Sequence, residues 1–293
     1  MQYLASIVIP AHNEEFRIRS LLQSLTDDSI RGNFAVFVIC NGCSDRTREV
    51  AEEFAGITVV TIDDIGKHFA LNEGDRLAQD IFPRLYCDAD IRIEPSSLTA
   101  LVQTLTTNAT IVAGPRVKYG VEQSSWGVRK YYQSMSSPIL SKWQSDHLVG
   151  RGLYGASHEA RKRFDSFPPL FADDKFFDAQ YRDNEKRNVS DSTVVVCVPA
   201  TLRRLIQTEA RVAKGNREYP SSGDVRRASS ASDIVTSPLS SHRQNERIGT
   251  LRTWAKDLRL RDWIPITVYL YVTCTARLYL VVMRARRRQV IWR

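Results

Sequence analysis

The sequence predicts an α/β fold: a mostly parallel sheet flanked by helices, followed by a helical C-terminal tail. Three observations predict it. Short apolar runs of strand length alternate with segments of helical periodicity as far as Ala113. The polar residues Asn13, Asn41, Asp45, Asp88 and Asp90 each follow the end of an apolar run. Near the C-terminus, Trp263–Met283 forms a 21-residue, mostly apolar stretch broken by Arg277.

The elements follow in order. Tyr3–Ile9 is an apolar run stopped by Pro10, the form of a buried parallel strand. Glu14–Leu25 places Phe16, Ile18, Leu21, Leu22 and Leu25 on one helical face. Phe34–Ile39 is a second strand, closed by the turn at Asn41-Gly42, and Ser44 or Asp45 is placed to cap a helix over Arg46–Phe54. Ile57–Ile62 is a third strand. Lys67–Ala78 is a third helix, with Phe69, Ala70, Leu71, Leu77 and Ala78 on its apolar side. Arg84–Cys87 is a fourth strand, Pro95–Leu105 a helix with proline in its first turn, and Ile111–Ala113 the start of a fifth strand. Strands alternating with helices imply right-handed crossovers. In such sheets ligands bind beyond the carboxyl ends of the strands, so the polar residues there share one location. Residues 124–149 read as helical. Their aromatic residues, Trp126, Tyr131, Tyr132 and Trp143, serve either a core or an acceptor groove.

The chain has 293 residues, 43% hydrophobic and 25% charged, which is ordinary for a globular protein. Its net charge of +8 lies wholly in residues 251–293, because the first 250 residues hold equal numbers of basic and acidic side chains. That segregation points to an anionic membrane surface and away from nucleic acid. Five scattered cysteines argue against a disulfide framework and fit a reducing compartment. Cys40-x-x-Cys43 has no second pair at zinc spacing. The N-terminus shows no charged segment followed by an apolar run and a cleavage site. Ser221–Ser241 is serine-rich and reads as a linker.

Asp88-Ala89-Asp90 is the most informative short feature. Two carboxylates separated by one residue can place oxygens around one hard divalent cation, which keeps waters and binds substrate phosphates. The same residues alone would also suit a solvated polar turn. Upstream stand Ile7-Val8-Ile9-Pro10-Ala11-His12-Asn13-Glu14 and Val38-Ile39-Cys40-Asn41-Gly42-Cys43-Ser44-Asp45. Downstream stands Ala172-Asp173-Asp174.

Taken in that order, these segments resemble the family 2 glycosyltransferases, inverting enzymes of the GT-A fold with a Rossmann-like nucleotide-binding half. The resemblance covers roughly residues 4–220 and implies a glycosyltransferase domain over 1–220; composition and charge give a linker over 221–250 and a membrane-associating tail over 251–293. The resemblance also implies a nucleoside-diphosphate sugar donor, a lipid or glycan hydroxyl acceptor, and Mg2+ or Mn2+ held by Asp88 and Asp90. Pro10, Ala11, Asn13 and Glu14 match the loop that packs on base and ribose; helix capping is their structural alternative. Asn41 stands where the family often has an aspartate for the base, and Asp45 matches the later acidic position or serves as an N-cap. Gly66-Lys67 with Ala70-Leu71-Asn72 resembles the stretch at which a lysine beside a helix N-terminus meets phosphate. Gly152-Leu153-Tyr154-Gly155 matches the close-approach segment before the catalytic acids. Asp173-Asp174 matches the acidic pair, with Asp174 as general base, although Asp173 replaces the usual glutamate. Arg211 and Arg217 match loosely a phosphate-gripping box, and a solvated helix face suits them equally. Two other readings use fewer of these residues. A nucleotidyltransferase or other nucleotide-binding enzyme would not need Asp173-Asp174, and a non-catalytic membrane or nucleic-acid module would need none of them.

The tail is flanked by Lys256, Arg259 and Arg261 on one side and Arg284, Arg286, Arg287 and Arg288 on the other. Its length could cross a bilayer. Positive charge on both sides gives no orientation and favours a helix lying in the interface or entering it partway, over a true span or a soluble packing helix; the cytoplasmic nucleotide sugar that the resemblance implies puts it on the inner face of the cell membrane.

Overall fold

The computed structural model describes residues 3–107, 111–136, 147–170, 172–218 and 263–285, with side chains at 216–218 and 284–285 left out. The expected linker over 221–250, Trp143 and the basic residues flanking the tail at 256–261 and 286–288 lie outside the described residues. The rest falls into two compact units. One takes in Met1–Glu122 and Gln144–Val198, the other Gln123–Trp143 and Pro199–Val290.

The first unit holds the sheet. Its strands are β1 Ala5–Ala11, β2 Phe34–Asn41, β3 Ile57–Ile62, β4 Arg84–Cys87, β5 Ile91–Ile93, β6 Val112–Gly120, β7 Leu153–Ala156 and β8 Lys186–Cys197. They run in the order β3-β2-β1-β4-β7-β6-β8-β5. The first four are mutually parallel, β7 is antiparallel to β4 and β6, β6 and β8 are parallel, and β5 returns antiparallel to β8. The parallel strands β1 and β2 read as continuous apolar runs because both faces are covered. Ile7, Val8, Ile9, Val38 and Ile39 are fully buried. Helices α1 Ile18–Leu25, α2 Thr47–Glu52, α3 Lys67–Ala78 and α4 Pro95–Thr107 connect the strands. α3 lies close on β1 because Gly74 has no side chain: a Cβ there would stand 2.1 Å from Val8 Cγ1. Short helices α6 His158–Arg161 and α7 Asp173–Ala179 follow β7.

Three local differences from the sequence reading have physical causes. The first helix begins at Ile18 and not at Glu14, and Phe16, expected on its buried face, is 91% exposed. The backbone N–H groups of Glu14 and Glu15 are taken by Thr47 Oγ1 and Asp45 Oδ2, which pin that segment to the next loop. Phe69 is likewise exposed at the start of α3. The short strand β5 was not anticipated. Its three residues carry no periodicity of their own and form a strand only because Ile91 and Ile93 pair with Val196 and Val194.

β4 and β5 are joined by three residues, Asp88, Ala89 and Asp90, yet stand fourth and last in the strand order. Four peptide steps reach at most about 14 Å. The sheet therefore curls until its far edge lies beside its middle, and the Asp-x-Asp turn sits where the curl brings them together.

A buried ionic network braces the underside of this unit. Asp75 on α3 accepts from Arg84 at 2.9 Å, Arg161 at 2.6 Å and Tyr86 Oη at 2.8 Å. Arg161 also donates to Tyr86 Oη at 2.8 Å and lies over the Phe164 ring at 4.1 Å. Tyr86, Tyr154, Phe164, Phe167 and Phe177 stack around it.

The second unit contains α5 Trp126–Ser134, α8 Leu202–Glu218 and α9 Trp263–Ala285. Val272, Ala276 and Leu280 of α9 are buried, the last two in a cluster with Ala210 on α8, and Tyr269 stacks on Tyr131 at 5.4 Å. Tyr131 is therefore core, while Trp126 is exposed. The opposite side of α9 exposes Leu270, Tyr271, Leu278 and Val281. Over Trp263–Met283 its mean hydropathy is 1.6, long and apolar enough to cross a membrane by length and composition, and only 17% of that stretch is buried.

Candidate active site

The strand ends assemble a carboxylate-rich cluster on the first unit. Asp88 follows β4, where its N–H donates to Gly152 O at 2.7 Å. Gly152 precedes β7 with φ +68, and a Cβ there would meet Ile91 Cγ2 at 2.5 Å, so both backbone and space demand glycine. Lys67 opens α3, and its Nζ donates to Asp88 Oδ1 at 2.7 Å and reaches Asp173 Oδ1 at 3.0 Å. Asp173 is buried, and its other oxygen accepts from Tyr154 Oη at 2.7 Å. Asp174 Oδ2 accepts from Gly150 N–H at 2.7 Å. Lys67, Asp88 and Asp173 thus meet at one ammonium group, with Asp174 next along the helix.

The charges shift as such crowding requires. Burial and then Asp173 push Asp174 up to about 6, against the Gly150 hydrogen bond and Lys67. Burial and the neighbouring Asp88 raise Asp90. Glu14 is pushed up to about 7 by burial first and Asp90 next, opposed by Arg17, which contacts it at 3.3 Å. Lys67, though burial works against its charge, is held firmly cationic by Asp173 and Asp88. Five carboxylates therefore act on one another here, opposed by Lys67 and Arg17.

That donor set fits a hard divalent cation. It offers oxygens, carries surplus negative charge and leaves Asp88 39% exposed. Among the described residues no three His, Cys, Asp or Glu side chains form a closed cage. An open site of one or two carboxylates is the kind that Mg2+ or Mn2+ completes with water and phosphate oxygens. Asp88 and Asp90 are the residues that would hold the ion.

The remaining expected residues divide. Pro10 and Ala11 end β1, and Asn13 adopts φ 55 and accepts from Ser44 N at 2.8 Å. Asn13 thus staples two loops together and does not cap α1. His12 Nδ1 donates to Asn41 O at 2.6 Å, joining the same two loops. Asp45 accepts from the N–H groups of Thr47 and Glu15 at 3.0 and 3.1 Å. Burial opposes its charge, but these hydrogen bonds hold it below the usual carboxylate range. Asn41 ends β2 with its side-chain amide buried and both polar atoms unpartnered. Each such group costs about 1–3 kcal/mol. Arg211 lies on α8 of the second unit, and the Arg217 side chain lies outside the described residues.

Sequence reasoning missed Tyr154 and Gly150 as partners of the acidic pair, and Arg17 as partner of Glu14. Tyr154 could have been found: in a strand that follows Gly152, alternate side chains face alternate sides. Also missed was Asp178, which holds the loop before β7 by accepting from His147 Nδ1 at 3.0 Å and Leu148 N at 2.8 Å. Opposed by burial, these bonds and Lys186 keep Asp178 below its usual range.

Residues 6–158 match the family described as glycosyl transferase family 2. Over 107 residues the chain is 36% identical to a 4,4'-diaponeurosporenoate glycosyltransferase of Staphylococcus haemolyticus, covering 34% of this chain and 28% of that protein. Over 158 residues it is 27% identical to an undecaprenyl-phosphate 4-deoxy-4-formamido-L-arabinose transferase of Aeromonas hydrophila, covering 51% and 47%. The matched part thus spans less than half the length of either curated relative. Among solved structures, the mannosyltransferase PcManGT of Pyrobaculum calidifontis, in complex with GDP-Man and Mn2+, superposes with a TM-score of 0.59 at 17% identity, covering 95% of this chain and 88% of that one. S. aureus TarS 1–349 in complex with UDP superposes with a TM-score of 0.51 at 15% identity, covering 97% and 92%. These likenesses establish the GT-A fold.

Proposed function

The chain belongs to glycosyl transferase family 2, and on that premise we propose that it transfers a sugar from a nucleoside-diphosphate sugar to a hydroxyl of a lipid or glycan, inverting the anomeric carbon. The observation that carries this reading is the meeting of Asp88, Lys67 and Asp173 around one ammonium, with Asp174 beside them. Residues so distant in sequence have no reason to meet in a helix cap or a solvated turn.

Each residue then has a task. Pro10, Ala11, Asn13, Glu14, Asn41 and Asp45 form the two stapled loops that receive the base and ribose, and the unpartnered amide of Asn41 is the group a base edge would satisfy. Asp88 and Asp90 hold Mg2+ or Mn2+, which offsets charge on the departing diphosphate. Lys67 and the start of α3 face phosphate oxygens; Arg211 and Arg217 are assigned the same duty from sequence.

Asp174 takes the acceptor proton. Its raised value, about 6, brings it nearer the working pH than an ordinary aspartate, which favours general base catalysis. Asp173, tied by Tyr154 and Lys67, serves to position the helix start. Gly150 N–H aims the Asp174 carboxylate. The exposed apolar side of α9 lies in the membrane interface, with the catalytic part peripheral on the cytoplasmic face.

The test uses Asp174→Asn. Donor-induced thermal shifts with UDP-, GDP- and dTDP-sugars in Mn2+ should match the parent protein. Transfer of labelled sugar to a membrane lipid or glycan extract should fall by about a hundred- to ten-thousandfold. Because the base must be unprotonated, parent activity should decline as pH drops through about 6. Transfer by Asp174→Asn within threefold of the parent would end the assignment.

A further inference from the structure

We propose that Lys67 is the resident counter-cation of the donor-free site and competes with the divalent metal for Asp88. This rests on the reading that Asp88 and Asp90 hold that metal. The lysine ammonium stands 2.7 Å from Asp88 Oδ1 and 3.0 Å from Asp173 Oδ1. It is fixed from both ends. Its stem leaves the first residue of α3, whose first turn is closed by Phe69 N–H on Gly66 O at 3.1 Å. Its head is gripped by Asp173, which Tyr154 Oη holds in place from the other oxygen.

A divalent ion bonds carboxylate oxygens at about 2.0–2.1 Å for Mg2+. It cannot share Asp88 Oδ1 with an ammonium at hydrogen-bond distance without strong cation repulsion. Metal binding at that oxygen without a nucleotide must therefore break the Lys67 contact with Asp88 and leave the ammonium to Asp173 alone. A nucleoside diphosphate changes this balance, because its phosphate oxygens offer the lysine a new anionic partner while adding ligands to the metal. Metal and nucleotide should then strengthen each other's binding reciprocally, with Lys67 as the coupling element. The same lysine that grips the donor also keeps the free site from filling with metal.

Mn2+ alone, titrated against the full chain and read from the electron paramagnetic resonance of the free ion, tests this. Lys67→Met should bind Mn2+ about tenfold more tightly than the parent, as expected on removing one charge a few ångströms from the ion in a half-buried site. Lys67→Arg, which keeps the charge, should bind Mn2+ like the parent. Adding UDP or GDP should tighten Mn2+ binding in the parent and much less in Lys67→Met. Lys67→Gln, which retains a hydrogen-bond donor for Asp173, should show the same tightening and stands in if Lys67→Met does not fold. Mn2+ affinity equal to or weaker than the parent's in a folded neutral variant would overturn the proposal. Mn2+ binding that survives Asp88→Asn and Asp90→Asn unchanged would instead reject the metal reading on which it rests.

Discussion

Gly150 and Gly152 bracket Arg151 in the loop that faces the cluster, and together they isolate one steric quantity. Both have left-handed backbones, φ +69 and +68. A Cβ on Gly150 would meet nothing within 4 Å, whereas on Gly152 it would stand 2.5 Å from Ile91 Cγ2. Alanine at 150 therefore incurs only the left-handed penalty, about 1–2 kcal/mol. Alanine at 152 adds an overpacking cost of about 1–3 kcal/mol, since β5 is short and buried and has little room to give. Urea unfolding should show Gly150→Ala destabilised by about 1–2 kcal/mol and Gly152→Ala by about 2–5 kcal/mol. The second should also weaken Mn2+ binding, because Gly152 O anchors the Asp88 N–H. Equal losses for the two variants would refute the claim that β5 crowds this loop.

Other outcomes follow from the described contacts. Asp75→Ala leaves Arg84 and Arg161 buried with an uncompensated charge, and should lower unfolding free energy by about 3–5 kcal/mol in urea. Glu14 has its folded value raised to about 7 from 4.5, so the stability it contributes is fully present below pH 4.5 and is lost as pH rises through 7. Glu14→Gln should flatten that part of the melting temperature against pH and be the more stable protein at pH 8. Replacing Leu270, Leu278 and Val281 with serine should reduce partition onto anionic lipid vesicles by about tenfold per residue, since each buried apolar side chain contributes about 1.5 kcal/mol or more. Unchanged partition would place the membrane contact elsewhere.

The parallel half of the sheet was legible because strands buried on both faces need continuous apolar runs, and Pro10, Gly42 and Pro95 punctuate them. The bounds of α3, Lys67–Ala78, and β4, Arg84–Cys87, are those read from sequence. The other half was harder to read. β5 has three residues and exists only through its pairing with β8. α1 begins at Ile18 after a segment that is tied to a distant loop through the Glu14 and Glu15 N–H groups, contacts that no local pattern announces. Asp88 and Asp90 stood out in the sequence because they follow an apolar run, and Asp173 and Asp174 only through the resemblance to the family's acidic pair. Their partners did not: Tyr154 and Gly150 look like ordinary strand and loop residues until the acidic pair arrives beside them.

The passage from β4 to β5 has a consequence for how the protein comes into being. Asp90 leads directly into a strand whose hydrogen-bonding neighbour, Val194–Val196, is made about a hundred residues later. During synthesis the aspartates leave the ribosome early, but the strand that follows the second one gains its hydrogen-bonding partner only when the last strand of the sheet has emerged. The Asp-x-Asp corner is thus completed only by a late strand, and a nascent or truncated chain lacking β8 would carry Asp88 and Asp90 without the pairing that makes β5 a strand.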